Sequence, residues 1–252
     1  MSDHFFVVVV PFHNEERGMH ATLDALAAQS DRAFSLVLVD NASTDSSGAV
    51  ARRFSSSGAL SDIVVVDEPR KGTGAAADTG FRTAIARGAT IIARTDADCV
   101  PHPDWIKHLK RAMTDGGMEF VAGKIKPRTD EGVQLGAGVW ILPAMIWLAE
   151  NFGRLHRRGP QFEYPYFMAA GNNLAITASL YERCGGFPRT AIEQEHEDRV
   201  LSETVRTLTT RAAVLPEAIV YNSVRRVRAY GYVNTLRWYR NHGYRPAVVD
   251  VR

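Results

Sequence analysis

Four apolar runs, each followed by a polar turn-forming stretch, set the layout of the first part of the chain: residues 5–11 (FFVVVVP), 36–39, 63–66 and 91–92. Apolar runs without alternation predict strands buried on both faces, as in a parallel sheet. Pro11 is expected to stop the first strand, and Pro101 with Pro103 to stop the fourth. Between strands, Met19, Leu23 and Leu26 recur at helical spacing, and KGTGAAADTGFRTAIARG predicts a glycine-rich entry to a helix ending near Gly88. The second part reads differently. A strand is expected over 118–126, then an uncharged segment over 132–149, then a short strand and helix after Gly171, Asn172 and Asn173. Leu201, Val205 and Leu208 mark a further helix, and Tyr232, Leu236 and Tyr239 another. The fold class is α/β, a mostly parallel sheet flanked by helices, whose ligand edge lies at the strand tips.

Composition narrows this. With 252 residues, 45% of them hydrophobic, the chain can bury a full core, as one large domain or two joined halves. Net charge is +2, but from Arg199 onward there are ten Arg against three acidic residues, and before it 20 basic against 25 acidic. This asymmetry fits a phosphate-rich partner or an anionic surface, or else scattered solvated arginines. No nucleic-acid partner is expected. Cys99 and Cys184 lie far apart without a second Cys or His at ligand spacing, so zinc is not expected. MSDHFF lacks the features of a signal peptide, and a reducing cytoplasm is the expected location. Residues 132–149 contain three glycines, Gln134 and Pro143, and read as a buried or groove-lining helix, a peripheral membrane contact or a span.

Candidate chemistry collects at the strand tips. Asp96 and Asp98 follow the fourth run, on one face if the strand alternation continues. They fit a Mg²⁺ or Mn²⁺ clamp on a diphosphate, or a polar turn capping the helix near Pro103. His13, Asn14 and Glu15 follow the first strand as ligands or caps, and Asp40 ends the second, where a carboxylate can accept from a ribose or base. Asp45 reads as a helix-start residue. Gly72 and Gly74 lack both the P-loop ending and the complete dinucleotide fingerprint, so they read as close helix packing, with Lys71 near an anion. Glu195, Glu197 and Asp198 crowd a helix start, where acid compensates the dipole. Arg225, Arg226 and Arg228 precede the last helix and Arg237 and Arg240 lie along it, as snorkelling side chains or phosphate ligands.

VVVVPFHNEE, LVLVDNASTDSS, RTDADCVPHPDW and EHEDRVL, in this order and spacing, resemble glycosyltransferase family 2, the inverting GT-A enzymes, over roughly residues 5 to 210. The resemblance implies a GT-A fold, with a nucleotide-sugar-binding half over 1–115 and a mixed acceptor-binding and catalytic-base half over 116–252. It implies that Pro11, Asn14 and Glu15 line the nucleotide pocket and that Asp40 contacts base or ribose. Asp96 and Asp98 would be the D-x-D metal and diphosphate motif, and Glu197 with Asp198 would supply the base, Asp198 as the base itself and Glu197 orienting the acceptor. Gly185, Gly186 and Phe187 match the family's G-G-F turn. The chain departs from the family at Ala77 and Asp78, where many members carry Arg-Asn, and at Asn234 in NTLRW, where processive members have Gln.

The expected activity is transfer of a sugar with inversion from a nucleotide-sugar donor, preferably a UDP-sugar, to a hydroxyl of a glycan or lipid-linked acceptor. A divalent cation would assist, in cell-surface polysaccharide or glycolipid synthesis. The alternatives are a sugar nucleotidyltransferase, which would need a glycine-rich signature where PFHNEE stands, and a catalytically silent nucleotide-sugar-binding scaffold.

Overall fold

The valine run forms the middle of the sheet. In the computed structural model, which describes residues 4–131, 161–167, 169–189 and 197–241, β1 (Phe6–Phe12) is buried at every position. It pairs in parallel with β2 (Ser35–Asp40) on one side and β4 (Ile91–Arg94) on the other, and β2 pairs in parallel with β3 (Ile63–Asp67). Continuous hydrophobicity follows from this placement, because helices cover both faces. Phe6, Val8, Val10 and Phe12 pack in one core with α1 (Met19–Ala27), α2 (Ser47–Ser55) and α4 (Trp105–Thr114). Val7 and Val9 pack in a second core with α3 (Thr73–Ala86), α5 (Ala178–Arg183) and α6 (Glu197–Leu208). Each fully buried valine contributes about 1.5–3 kcal/mol. Helix α3 lies close to the strands because Gly80 faces them; a Cβ there would stand 2.3 Å from Val9 and 2.9 Å from Val39.

The remaining strands extend the sheet in the order β3-β2-β1-β4-β7-β6-β8-β5. These are β5 (Cys99–Pro101), β6 (Phe120–Pro127), β7 (Leu174–Thr177) and β8 (Ala212–Asn222). β7 runs antiparallel between β4 and β6, β8 lies parallel to β6 with an irregularity after Gly123, and β5 closes the edge antiparallel to β8. The result is the α/β sheet expected, parallel in its first half and mixed in its second. Helix α7 (Arg225–Asn241) follows β8 and is broken at Gly231, whose φ of 73° is left-handed.

Three expectations are corrected. Pro11 does not end β1. The N–H of Thr95 donates to Val9, so alternate residues of β1 face β4, and β4 ends at Arg94 opposite Val9. The missing N–H of Pro11 therefore falls where no neighbour is left to receive it. Pro101 sits inside β5, which tolerates it at the sheet edge. Asp96 and Asp98 are not alternate positions of a continuing strand, because the chain turns between β4 and β5. The segment 132–149 lies outside the described residues, as do the side chains of Tyr232, Leu236 and Tyr239. Among the described residues no helix is long and apolar enough to cross a membrane.

Candidate functional site

The ends of β1 and β2 are joined by a polar lattice. Asn14 takes a left-handed φ of 52°, a conformation asparagine tolerates, and its Oδ1 accepts from the Thr44 N–H at 2.8 Å while its own N–H donates to Ser43 Oγ. The N–H of Glu15 donates to Ser47 Oγ at 2.6 Å. Asp40, buried at the tip of β2, accepts from the Ser43 N–H at 2.9 Å, and Asp45 accepts from Ser47 at the start of α2 as a helix-start residue does. Asn41, which the sequence did not single out, ties the third loop in. Its amide donates to the Glu68 and Arg70 carbonyls and accepts from the Gly72 N–H. Lys71, between those anchors, is exposed.

At the tip of β4 the organising residue is Arg94, fully enclosed with its side chain 1% exposed. Its Nε donates to Asp96 at 3.1 Å, and Nη1 and Nη2 both donate to Glu197 Oε1 at 3.3 Å. Burial opposes the guanidinium charge, but Asp96, Glu197 and Asp198 overcome it and raise the Arg94 pKa. Burial pushes the Asp96 carboxyl up; Arg94 pulls it down, and the charges of Asp98 and Glu197 add to the rise. An arginine closing an apolar strand directly before two aspartates was the available signal for Arg94.

Through Arg94 the first half of the chain grips the start of α6. Glu197 is buried, and its carboxylate accepts from Arg94. Asp198, half-buried and on a different side of the helix, accepts from the Gly171 N–H at 3.1 Å. A Cβ on Gly171 would lie 2.9 Å from Arg94 Nη1, so only glycine lets this loop reach both groups. Behind the site, Gly185 and Gly186 take left-handed φ values of 79° and 86°, and the turn delivers Phe187 edge-on to Phe81 at 5.1 Å. Asp78, at the family departure, is fully buried and accepts from Tyr181 (2.8 Å), Arg82 (2.8 Å) and Arg189 (3.1 Å). It is a structural hub.

Arg225 enters the site from the far end of the chain. Cys99 and Asn222 are register partners of β5 and β8, which brings the start of α7 beside Asp98. Arg225 donates to both oxygens of Glu15 at 2.8 and 2.9 Å and to Asp98 Oδ2 at 3.1 Å. Arg225 was expected to face phosphate; its partners here are carboxylates. Burial opposes its charge, and its bonds to Glu15 and the charge of Asp98 raise its pKa in spite of that. Arg226, next on the helix, is half-buried.

A family model for glycosyl transferase family 2 matches residues 7–180, well over half of the chain. The chain belongs to this family. The family 2 chain is 27% identical over 247 residues to the probable glycosyltransferase YdaM of Bacillus subtilis, covering 94% of this chain and 55% of that protein. It is 29% identical over 124 residues to glycosyltransferase AglE of Haloferax volcanii, covering 48% of this chain and 40% of that one. It thus spans about half the length of these relatives. Among solved structures, the mannosyltransferase PcManGT of Pyrobaculum calidifontis, in complex with GDP-Man and Mn²⁺, superposes with a TM-score of 0.65 at 23% identity. That match covers 92% of this chain and 64% of that one. S. aureus TarS 1-349 in complex with UDP-GlcNAc superposes at 0.63 and 17% identity, over 87% and 58%. These likenesses establish the GT-A fold, and family membership sets the nucleotidyltransferase alternative aside.

For a family 2 site the donor set at the β4 tip fits a hard divalent cation. Asp96 and Asp98 offer carboxylate oxygens close enough for the Asp98 charge to raise Asp96. Among the described residues no group of three His, Cys, Asp or Glu side chains forms a metal site by itself, so phosphate oxygens and water would complete the coordination. Thr95 Oγ1 and Asn172 Oδ1, beside this tip, are buried without a hydrogen-bond partner, as at a site that a ligand completes.

Proposed function

We propose that the chain is an inverting glycosyltransferase that moves a sugar from a UDP-sugar onto a hydroxyl of a glycan or lipid-linked acceptor, with Asp198 as general base. The observation that carries this reading is the buried Arg94 bridge. It ties the Asp96 tip to the first turn of α6, so that a half-open carboxylate, Asp198, stands beside the donor-side acids. Residues 1–115 serve as the donor half and 116–252 as the acceptor and base half of one domain.

Pro11, Asn14, Glu15 and Asp40 line the nucleotide pocket. Asp40, fixed by the Ser43 N–H, accepts from the imide N–H of a uracil. Asp96 and Asp98 hold a Mg²⁺ or Mn²⁺ ion, which when bound neutralises the diphosphate leaving group. Lys71, Arg225 and Arg226 supply further positive charge to that diphosphate. Asp198 takes the proton from the acceptor hydroxyl as it attacks the anomeric carbon from the side opposite the diphosphate. The Gly171 N–H holds Oδ2 of Asp198 and the Arg199 N–H holds Oδ1, which together fix the orientation of the carboxylate and leave each oxygen a lone pair for the acceptor proton. Glu197 does not compete for the proton, being held by Arg94. The apolar segment 132–149 offers a contact for a lipid-linked acceptor at the cytoplasmic face of a membrane.

Incubation with UDP-, GDP- and dTDP-sugars in Mn²⁺ or EDTA tests this reading. Slow donor hydrolysis by a UDP-sugar, abolished by EDTA, is expected, with transfer to an acceptor giving the inverted anomer. A retained anomer refutes the single displacement; undiminished activity in EDTA refutes the metal assignment; binding without any turnover leaves a silent scaffold as the reading.

A further inference from the structure

Arg225 occupies the place that a cation on Asp98 requires. Asp98 Oδ2 accepts from Arg225 Nη2 at 3.1 Å, whereas Oδ1 has only the Cys99 thiol at 3.5 Å, whose one hydrogen has a closer acceptor in Asn222 Oδ1 at 3.2 Å. The thiol contact is weak, whereas the guanidinium contact is charge-assisted and half-buried, with the Arg225 side chain 26% exposed. A divalent ion bound to Asp98 would sit within a few ångströms of the guanidinium, and like charges at that spacing repel strongly. Arg225 also has a second anchor, since Glu15 accepts from both of its terminal nitrogens. Losing Asp98 therefore costs Arg225 one hydrogen bond of three, and it remains tethered to the first loop. The helix is broken at Gly231, six residues beyond Arg225, while the Thr235 hydroxyl donates across the break to the Arg226 carbonyl; the movement required is therefore one of the Arg225 side chain, not of the helix.

We propose that Arg225 is a latch that competes with the divalent cation for Asp98. Cation loading displaces the guanidinium from Asp98, and Arg225, pivoting on Glu15, becomes free to meet the diphosphate that arrives with the metal. This rests on the assignment of Asp96 and Asp98 as the metal site. The Arg225 guanidinium keeps Glu15 and Asp98 from standing side by side uncompensated.

The test is Mn²⁺ alone, without nucleotide, titrated into wild type, Arg225→Gln and Arg225→Lys, with free Mn²⁺ read by electron paramagnetic resonance and folding checked by thermal melting. Arg225→Gln is expected to bind Mn²⁺ about tenfold more tightly than wild type, the equivalent of ~1.4 kcal/mol of competition removed. It should melt earlier than wild type without metal and gain more from Mn²⁺. Arg225→Lys, which keeps a charge but not the bidentate fork, should fall between. Equal or weaker Mn²⁺ affinity in Arg225→Gln, in a folded protein, overturns the latch while leaving the metal site standing. Binding that survives Asp98→Asn, or no binding in any variant, overturns the metal assignment and the latch with it.

Discussion

Replacing Arg94 with methionine, which keeps an unbranched stem as far as the Nε position and removes the guanidinium charge, isolates what the bridge contributes. The side chain is 1% exposed and its partner Glu197 10%, so the substitution leaves a carboxylate buried without its counter-charge; Asp96 is 31% exposed and recovers part of its hydration. Removing one partner of a buried pair costs about 3–5 kcal/mol, and the exposure of Asp96 places this case near ~3 kcal/mol. For a domain of this size that lowers Tm by about 6–12 °C. The stability loss alone would not distinguish a bridge from ordinary packing, because Arg94 also lies over the Phe187 ring at 5.4 Å. The informative experiment is a double-mutant cycle. Arg94→Met, Glu197→Gln and the double variant are melted in parallel, and donor hydrolysis is followed in each. Neutralising Glu197 removes the charge that Arg94 compensates, so the double variant should lose about 1–3 kcal/mol less than the sum of the singles. Turnover should fall in both singles with donor affinity retained in Glu197→Gln, since Asp198 is then no longer aimed. Additivity within about 0.5 kcal/mol would refute the bridge. Wild-type turnover in a folded Arg94→Met protein would refute its role in aiming the base.

Three further outcomes are expected. Asp198→Asn should keep fold and donor affinity but lose transfer by about 100-fold or more, measured as initial rates with acceptor present; near-wild-type transfer would move the base elsewhere. Burial opposes the charge of Glu68, but Thr79, the Arg70 N–H and Arg189 hold its carboxyl below the ordinary value of 4.5. The stability this pairing supplies is full above that value and is lost as pH falls through the depressed one. Arg189→Met should therefore cost about 1 kcal/mol at neutral pH, the partly exposed arginine being screened by solvent, and less in acid, read from denaturant melts across pH; an equal loss at both would show a packing effect. Gly80→Ala should cost about 1–3 kcal/mol, because its Cβ would meet Val9 and Val39 in a closed core; an unchanged melting curve would contradict the close approach of α3.

The first half was readable because parallel strands covered on both faces leave long apolar runs, and the polar residues that end such runs stand at the ligand edge. Asn14, Glu15, Asp40, Asp96 and Asp98 were singled out as candidates that way, and the structure places them at the ends of β1, β2 and β4. Beyond it, β6 and β7 fall where strands were expected, near 118–126 and after Asn173, but β5 and β8 stayed hidden. β8 alternates between buried and exposed positions and carries Pro216 near its irregularity, so it shows no run to find. β5 is three residues long and contains a proline. Without β5 and β8 the pairing of Cys99 with Asn222 was invisible, and with it the meeting of Arg225 and Asp98. Arg94 escaped because periodicity reports burial of apolar side chains and is silent about a buried charge whose partner lies 103 positions away.

That separation also sets an order of events during synthesis. When β4 has been made, Arg94 is present and Glu197 is not, and at about 5–20 residues per second the wait is roughly 5–20 s. Until β7 is made, about 80 residues later, β4 has β1 on one side and nothing on the other, and its last residue carries a charge that Glu197 cannot yet neutralise. A solvated guanidinium at a free strand end disfavours edge-to-edge pairing with another nascent chain. The same side chain that later joins the two halves thus serves first to keep the unfinished one apart from its neighbours.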